Sequence, residues 1–331
     1  MDDRIRALDA WLRTTLRGAD FRMESASADA SFRRYFRVFL PERTLIAMDA
    51  PPEREDSRPF VKVARLLREA GLNAPEVLAE DLAQGFLLVT DLGTRSYLAA
   101  LREGDVGRLF GDATNALVRW QSATRAGVLP EYDEALLRRE LQLFPDWYLG
   151  RHLGVELSEA QRATLESVFR RIVERNLAEP RVYVHRDYMP RNLMVADPNP
   201  GILDFQDAVH GPMSYDVASL FRDAFISWEE ERVLDGTIRY WEKARGAGLP
   251  VRADFGDFWR DVEWMGLQRH LKVLGIFARL HYRDGKKGYL EDTPRFEGYV
   301  RHAVGRYAEL APLGRLLDEV QGRAPRASYT F

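Results

Sequence analysis

Between residues 185 and 208 the chain reads HRDYMPRNLMVADPNPGILDFQDA, which sets His185, Asp187, Asn192, Asp204 and Asp207 among short strand-forming runs. Asp187 and Asn192 are separated by four residues on a loop that follows the apolar run RVYVH (181–185), and Asp204 ends the run GILDF (201–205). A carboxylate, an amide and a second carboxylate on loops suit phosphoryl transfer. The first acid orients an attacking hydroxyl and takes its proton, while the amide and the second acid offer oxygen ligands to magnesium on nucleotide phosphates. Taken singly, Asp187, Asn192 and Asp204 could instead be turn residues that bond their own backbone. His185 is expected to position the loop by hydrogen bonds, not to transfer protons.

Elements must hold that loop in place. Ile5, Leu8, Trp11, Leu12 and Leu16 recur at helical spacing and predict an amphipathic leading helix. FRRYFRVFL (32–40) and TLIAMD (44–49) read as consecutive antiparallel strands, residues 59–71 as a helix with Pro59 in its first turn and Gly71 at its end, and 76–81 with 85–91 as a further hairpin. From Ser96 the pattern turns helical, with strand signals returning only at 181–185, 192–195 and 201–205. The expected fold class is α+β. Residues 1–93 would form a small antiparallel nucleotide-binding lobe with its leading helix, and 94–331 a larger, mainly helical lobe with the catalytic loop, metal site and acceptor site.

Composition narrows the partners. The 331 residues include 48 Lys+Arg and 51 Asp+Glu, a net charge of -3, which gives no global argument for nucleic acid or membrane. The absence of cysteine excludes disulfides, thiolate catalysis and Cys-ligated zinc. The charged N-terminus resembles neither signal peptide nor anchor, and the apolar helical stretch 271–280 is too short to span a bilayer. A soluble, cytoplasmic protein with a small-molecule partner is expected.

HRDYMPRN (185–192) fits the kinase catalytic-loop pattern H-R-D-x-x-x-x-N, and GILDFQDA (201–208) places Asp204 17 residues after Asp187. With GPMSYDVASL (211–220), these segments resemble the aminoglycoside phosphotransferase-like kinases, relatives of the protein kinases. The resemblance spans about residues 20–310. Within that group, residues 201–228, 30–38 and 48–56 are most similar to kinases that phosphorylate the anomeric hydroxyl of N-acetylmuramate and N-acetylglucosamine in peptidoglycan recycling. The resemblance implies a bilobal protein-kinase-like fold, ATP and Mg2+ as cofactors, Asp187 as catalytic base, Asn192 and Asp204 as metal ligands, and Asp216 as a buried brace for the loop.

Two departures stand out. Residues 25–35, SASADASFRRY, hold no glycine where protein kinases have a Gly-rich phosphate loop, so Ser31 and neighbouring backbone N–H groups are the candidates there. The third-strand lysine is also missing, with Met48 or Asp49 near its place. Arg37, then Arg33, then Lys62 are candidates to replace its charge, although Arg33 and Arg37 could equally sit on a solvated strand face. Asp91 and Gly93 resemble a hinge that reads adenine.

For the acceptor, Tyr188, Arg191, Gln206 and Asp207 are candidates by proximity to Asp187. The segment 269–287 carries six Lys or Arg against one Asp, which with Arg222 could pair the carboxylate of an amino sugar acid or could be a solvated helix face. Gln268, Arg269 and His270 are further sugar-contact candidates. Alternatives are another small alcohol, such as an aminoglycoside or choline, and a nucleotide-binding pseudokinase.

Overall fold

The structure, a computed structural model, describes residues 2–28 and 32–322, so Ser31 lies outside the described residues. The chain divides into two compact units, Met1–Trp120 with Pro190–Ala208, and Gln121–Met189 with Val209–Phe331. The pattern boundary at 93/94 marks where strand gives way to helix and is a different division.

The first unit is built on a five-stranded antiparallel sheet in the order β1-β2-β3-β5-β4: β1 Arg22–Ala28, β2 Arg34–Phe39, β3 Thr44–Asp49, β4 Val77–Asp81 and β5 Phe86–Thr90. The alternation in 32–45 decides what faces what. Helix α1 (Asp3–Thr15) buries Leu8 and Leu12 among Phe36, Val38, Leu45, Ala47, Phe86 and Leu88, with Ile5 and Trp11 packed alongside. Strand β1 is not anticipated from RMESASA, whose polar residues have little strand preference. It forms because β2 offers it a ladder, with a bulge between Ser25 and Ser27, and a polar strand is tolerated at a sheet edge.

Asp49 ends β3 on the α1 side of the sheet and is fully buried. Arg4 of α1 donates to it through Nε at 3.1 Å, and Arg34, its partner across the ladder, through Nε at 2.9 Å. Arg4 also donates to the Gln84 carbonyl at 2.8 Å and lies over the Phe86 ring. Two arginines thus close on one carboxylate and fasten α1 to the sheet.

Helix α2 (Arg58–Glu69) carries Pro59 in its first turn, where no N–H is needed, and the chain leaves it through Gly71 at φ 72°. Its buried face includes Phe60, Val63 and Leu67. Helices α3 (Tyr97–Glu103) and α4 (Val106–Ser122) follow, and the unit is completed by the returning two-strand ladder of β7 (Leu193–Met194) and β8 (Gly201–Ile202).

The second unit is mainly helical. Helix α5 (Glu134–Leu143) continues into a π-helical stretch at Phe144–His152, and α6 (Glu159–Leu177) starts with a capping box formed by Ser158 and Gln161. Strand β6 (Arg181–Val184) pairs with β9 (Val209–Pro212), and α7 (Tyr215–Phe221), α8 (Glu230–Gly246), α9 (Phe255–Tyr282), α10 (Thr293–Arg306) and α11 (Ala311–Val320) complete the unit. Helix α9 runs through the middle, buried at every residue from Asp261 to Gly275. Its approach to the end of α5 is so close that a Cβ on Gly275 would meet the Leu143 backbone at 2.4 Å. The solvated-face alternative for 269–287 therefore fails over its first turns: Arg269, His270 and Lys272 lie inside the unit. Among the described residues, no helix is long and apolar enough to cross a membrane.

The arginine clamp is directly testable. Asp49→Ala removes the buried counter-charge shared by two partly exposed guanidinium groups, of which Arg34 keeps Asp2 as a partner, and is expected to lower the unfolding free energy by about 1–2 kcal/mol. Urea denaturation measures this, and a loss below about 0.5 kcal/mol would mean that the clamp does not hold α1.

Candidate functional site

In the second unit the catalytic-loop residues hang from the end of β6. Asp216, in the first turn of α7, is fully buried and takes the backbone N–H of His185 at 2.7 Å and of Arg186 at 3.0 Å. His185 Nδ1 accepts the Asp187 N–H at 3.2 Å, and the Met189 N–H closes a tight turn on the Asp187 carbonyl at 2.9 Å. The backbone on both sides of the Asp187 side chain is thereby tied down. Burial pushes the Asp216 carboxyl up to about 7; the charge of Asp187 adds to the rise and the two N–H bonds oppose it.

Arg186 adopts φ 76°, a strained backbone for a residue with a side chain. Its guanidinium is held by the carboxylate of Glu140 and lies over the Tyr132 ring at 5.7 Å. Glu140 also takes the Tyr132 hydroxyl and the Lys272 ammonium, the latter at 3.0 Å, and Lys272 reaches the Tyr215 hydroxyl at 3.1 Å. Burial would raise Glu140, but Lys272 and Arg186 outweigh it and hold the carboxyl below its usual range. Sequence reading missed Glu140 and misassigned the surroundings of Lys272. The signal was present: Leu137, Glu140 and Leu141 share the buried face of α5, and an acid at a core position needs a buried cation.

In the first unit, Asn192 leads into β7 and Asp204 follows β8, which brings them together at one end of the antiparallel β7–β8 ladder. The Leu203 N–H donates to the Asn192 carbonyl at 2.9 Å, and the Asn192 amide meets Asp204 Oδ2 at 3.1 Å. Gln206 donates to Asp204 Oδ1 at 2.9 Å while its own Oε1 is buried without a partner. Asp204 has φ 61°, and Phe205 packs on Phe60 of α2 with ring centroids 4.8 Å apart. The ladder is pinned from outside: Ile202 N–H to the Asn73 carbonyl at 2.8 Å, Asn73 to the Pro198 carbonyl at 2.6 Å, and Asn199 to Tyr97 and Asp112 at 2.6 and 2.7 Å. Hard oxygen donors converging beside an unsatisfied amide oxygen fit magnesium. The chain crosses between units after Met189, so Asp187 belongs to one and Asn192 and Asp204 to the other.

The nucleotide-end candidates are placed as follows. Arg37 forms a fork on Asp91, at 2.6 and 3.1 Å, and donates to the Gly93 carbonyl at 3.0 Å, while the Gly93 N–H returns to Asp91 at 2.9 Å. Burial would raise Asp91, but Arg37, Thr44 and the Gly93 N–H hold it below its usual range. These three residues brace one another at the end of β5, a pairing invisible in the sequence. Arg33 pairs with Glu55 at 3.0 Å. Lys62 lies on the exposed face of α2 beside Arg58 and Arg65.

Of the acceptor candidates, Arg191 and Asp207 are exposed. Tyr188 is buried edge-on against His185, and Gln268 is buried with its amide on the Leu137 carbonyl at 3.0 Å. Both side chains are therefore occupied in packing. Arg269 is buried, reaches Met189 Sδ at 3.7 Å and leaves Nη1 without a partner. His270 is packed against Phe296 and Tyr299, and burial with Arg269 and Arg222 nearby holds its imidazole well below the usual range.

A second buried acid, Glu179, supports the turn before α7 by accepting the Ser214 N–H at 3.1 Å and its hydroxyl at 2.8 Å. Burial, with Asp261 nearby, pushes it up to about 8. A carboxyl that binds its proton more tightly folded than unfolded gives stability at low pH that is lost as the pH rises through that value. Glu179→Gln should make the fall in unfolding free energy between pH 6 and pH 9 shallower by about 2 kcal/mol. Urea melts at the two pH values decide this, and parallel slopes for both proteins would count against the assignment.

The chain is similar to known proteins over most of its length. Residues 22–255 match the Phosphotransferase enzyme family. The chain is 58% identical over 292 residues to the N-acetylmuramate/N-acetylglucosamine kinase of Pseudomonas aeruginosa, covering 88% of this chain and 86% of that protein. It is 50% identical to the protein of the same name from Neisseria meningitidis, covering 95% of each. Among solved structures, the GDP complex of aminoglycoside 2'-phosphotransferase-IIIa superposes with a TM-score of 0.62 at 14% identity, over 92% of this chain and 100% of that one. The ethanolamine kinase of Plasmodium vivax gives 0.64 at 9% identity, over 89% and 85%. The α+β fold is thus the kinase-like fold of those enzymes, and on the length and identity of its matches the chain belongs to the phosphotransferase enzyme family.

Proposed function

We propose that the protein is an ATP- and magnesium-dependent kinase that phosphorylates the anomeric hydroxyl of N-acetylmuramate and N-acetylglucosamine, in the cytoplasm, as a step of peptidoglycan recycling. The observation that carries the chemistry is the braced loop, in which Asp216 takes the N–H groups of His185 and Arg186 directly before Asp187. The acceptor follows from the names of relatives that are 50–58% identical over most of their length.

Asp187 orients the acceptor hydroxyl and accepts its proton as the oxygen attacks the terminal phosphorus of the nucleotide. Asn192 and Asp204 would hold magnesium, which when bound neutralises charge on the transferring phosphate. Most of the rate then comes from positioning and electrostatics, because phosphoryl transfer asks little covalent chemistry of the protein. That division of labour fits a loop whose backbone is fixed from below. Among the nucleotide-end candidates, Arg33 and Lys62 remain the cations to test for phosphate contact, with Arg37 acting through Asp91 and Gly93.

Asp187→Asn keeps the shape and removes the base, so turnover should fall by about 1,000-fold while nucleotide binding is retained. Asp204→Ala should lose turnover and also weaken magnesium-nucleotide binding. Coupled ADP release and calorimetric titration separate the two effects, and full activity in Asp187→Asn would sink the mechanism. The acceptor is settled by the same assay on N-acetylmuramate, N-acetylglucosamine, kanamycin and choline, with phosphorus NMR of the product. Turnover confined to kanamycin or choline would replace the amino sugar with another alcohol.

A further inference from the structure

Within the second unit, a pocket of about 380 Å³ opens between the segment after α7 and helix α10, and Arg222, Arg295, Trp228 and Tyr299 are among its walls. Its volume lies in the range of small-molecule sites. Arg222 is the C-terminal cap of α7, the helix whose first turn holds Asp216. Five residues lie between the two, a rise of about 9 Å along the axis. One short helix thus carries the brace of the Asp187 loop at its start and a wall of the pocket at its end.

Arg222 is only 9% exposed, yet its Nη2 makes no hydrogen bond. The nearest carboxylate, Glu263, is 3.7 Å away, outside hydrogen-bond reach, and is already taken by Arg306 at 2.9 Å and by the Tyr307 hydroxyl. The guanidinium is flanked instead by the faces of Trp259 and Tyr299, at 5.9 and 5.7 Å. Nη2 faces Glu263 across this long ion pair, and burial lowers the Arg222 pKa although Glu263 opposes the shift. Arg295, the second cation on the wall, is anchored on the Ala224 carbonyl, which also holds the 222–228 segment against α10.

The acids nearby do not make this a metal centre. Glu230, Glu263 and His302 come within 4.8 Å of one another, but Arg306 pairs with both carboxylates and supplies the positive charge that an ion would bring. Glu230 is itself on the pocket wall but is paired with Arg306, which leaves Arg222 and Arg295 as the cations there that could meet an anion. The two acceptors in the relatives' names differ chemically by one group, the ether-linked lactate that gives N-acetylmuramate a carboxylate and N-acetylglucosamine none. An enzyme that takes both needs a subsite that receives a carboxylate without requiring it. A guanidinium stacked between aromatic faces meets that demand, because it is weakly hydrated and stable with or without an anion.

Resting on the proposed function, we propose that this pocket is the carboxylate subsite of the acceptor, with Arg222 pairing the lactyl carboxylate and Arg295 reinforcing it. It is a specificity site, removed from the reacting oxygen.

The test compares acceptors on one enzyme. For Arg222→Gln, kcat/KM for N-acetylmuramate should fall about 10- to 100-fold further than that for N-acetylglucosamine, the scale of a lost charge-assisted hydrogen bond. The difference should appear mainly in KM, and Arg222→Lys should restore part of it. The wild-type enzyme gives an independent check that needs no variant to fold: the methyl ester of N-acetylmuramate should lose the same factor against the free acid. Equal losses on both sugars in Arg222→Gln, or acid and ester used alike by the wild type, would overturn this inference alone. Absence of wild-type turnover on either sugar would overturn the proposed function and this inference with it.

Discussion

Two consecutive backbone N–H groups ending on one buried carboxylate are the interaction on which the 185–189 loop depends. Asp216 sits at zero exposure beneath His185 and Arg186, and it holds the chain in a conformation that Arg186, at φ 76°, would not otherwise adopt. Such a conformation persists only where its surroundings over-determine it. Here they do so twice, through Asp216 on the backbone and through the Glu140, Tyr132 and Lys272 cluster on the Arg186 side chain. Neither brace touches the reacting atoms in the proposed mechanism. Their work is to leave Asp187 one place to be.

The parts of this arrangement that were legible in sequence are those carried by local spacing. HRDYMPRN and the acid 17 residues later need no tertiary context to be seen, and the alternation of Phe36, Val38 and Leu40 against Arg37 separates the two faces of β2, although only the structure shows that α1 covers the apolar one. What stayed hidden depends on residues far apart in the chain. Arg37 and Asp91 are 54 residues apart and meet only because β2, β3 and β5 are laid side by side. Glu140 and Lys272 are farther apart still, and the segment holding Lys272 leaves a solvated face and an acceptor contact both open because nothing in it reveals that α9 is central. Strand β1 failed for a third reason: its ladder with β2 overrides weak local preference.

The chain also spends a familiar position differently. Where protein kinases carry a third-strand lysine for the phosphates, β3 ends in buried Met48 and in Asp49, whose charge is turned to the opposite task of fastening α1. The end of β3 has become an attachment point for the leading helix. In the proposed mechanism charge at the nucleotide comes from other residues, with Arg33 and Lys62 as candidates while Arg37 is taken up by Asp91 and Gly93. Arg33, paired with Glu55, keeps its positive charge and loses its freedom to wander, which suits a phosphate contact that has to be ready before the nucleotide arrives.

The anchoring of α1 has a consequence for how the chain comes off the ribosome. Leu8 and Leu12 are synthesised well before the residues that cover them, which include Phe86 and Leu88, and before the carboxylate that locks the helix, Asp49. At typical elongation rates the apolar stripe of α1 waits about 4–16 s for its sheet. During that interval the apolar stripe of this helix has no sheet to cover it, so its burial depends on how quickly roughly the next 80 residues follow.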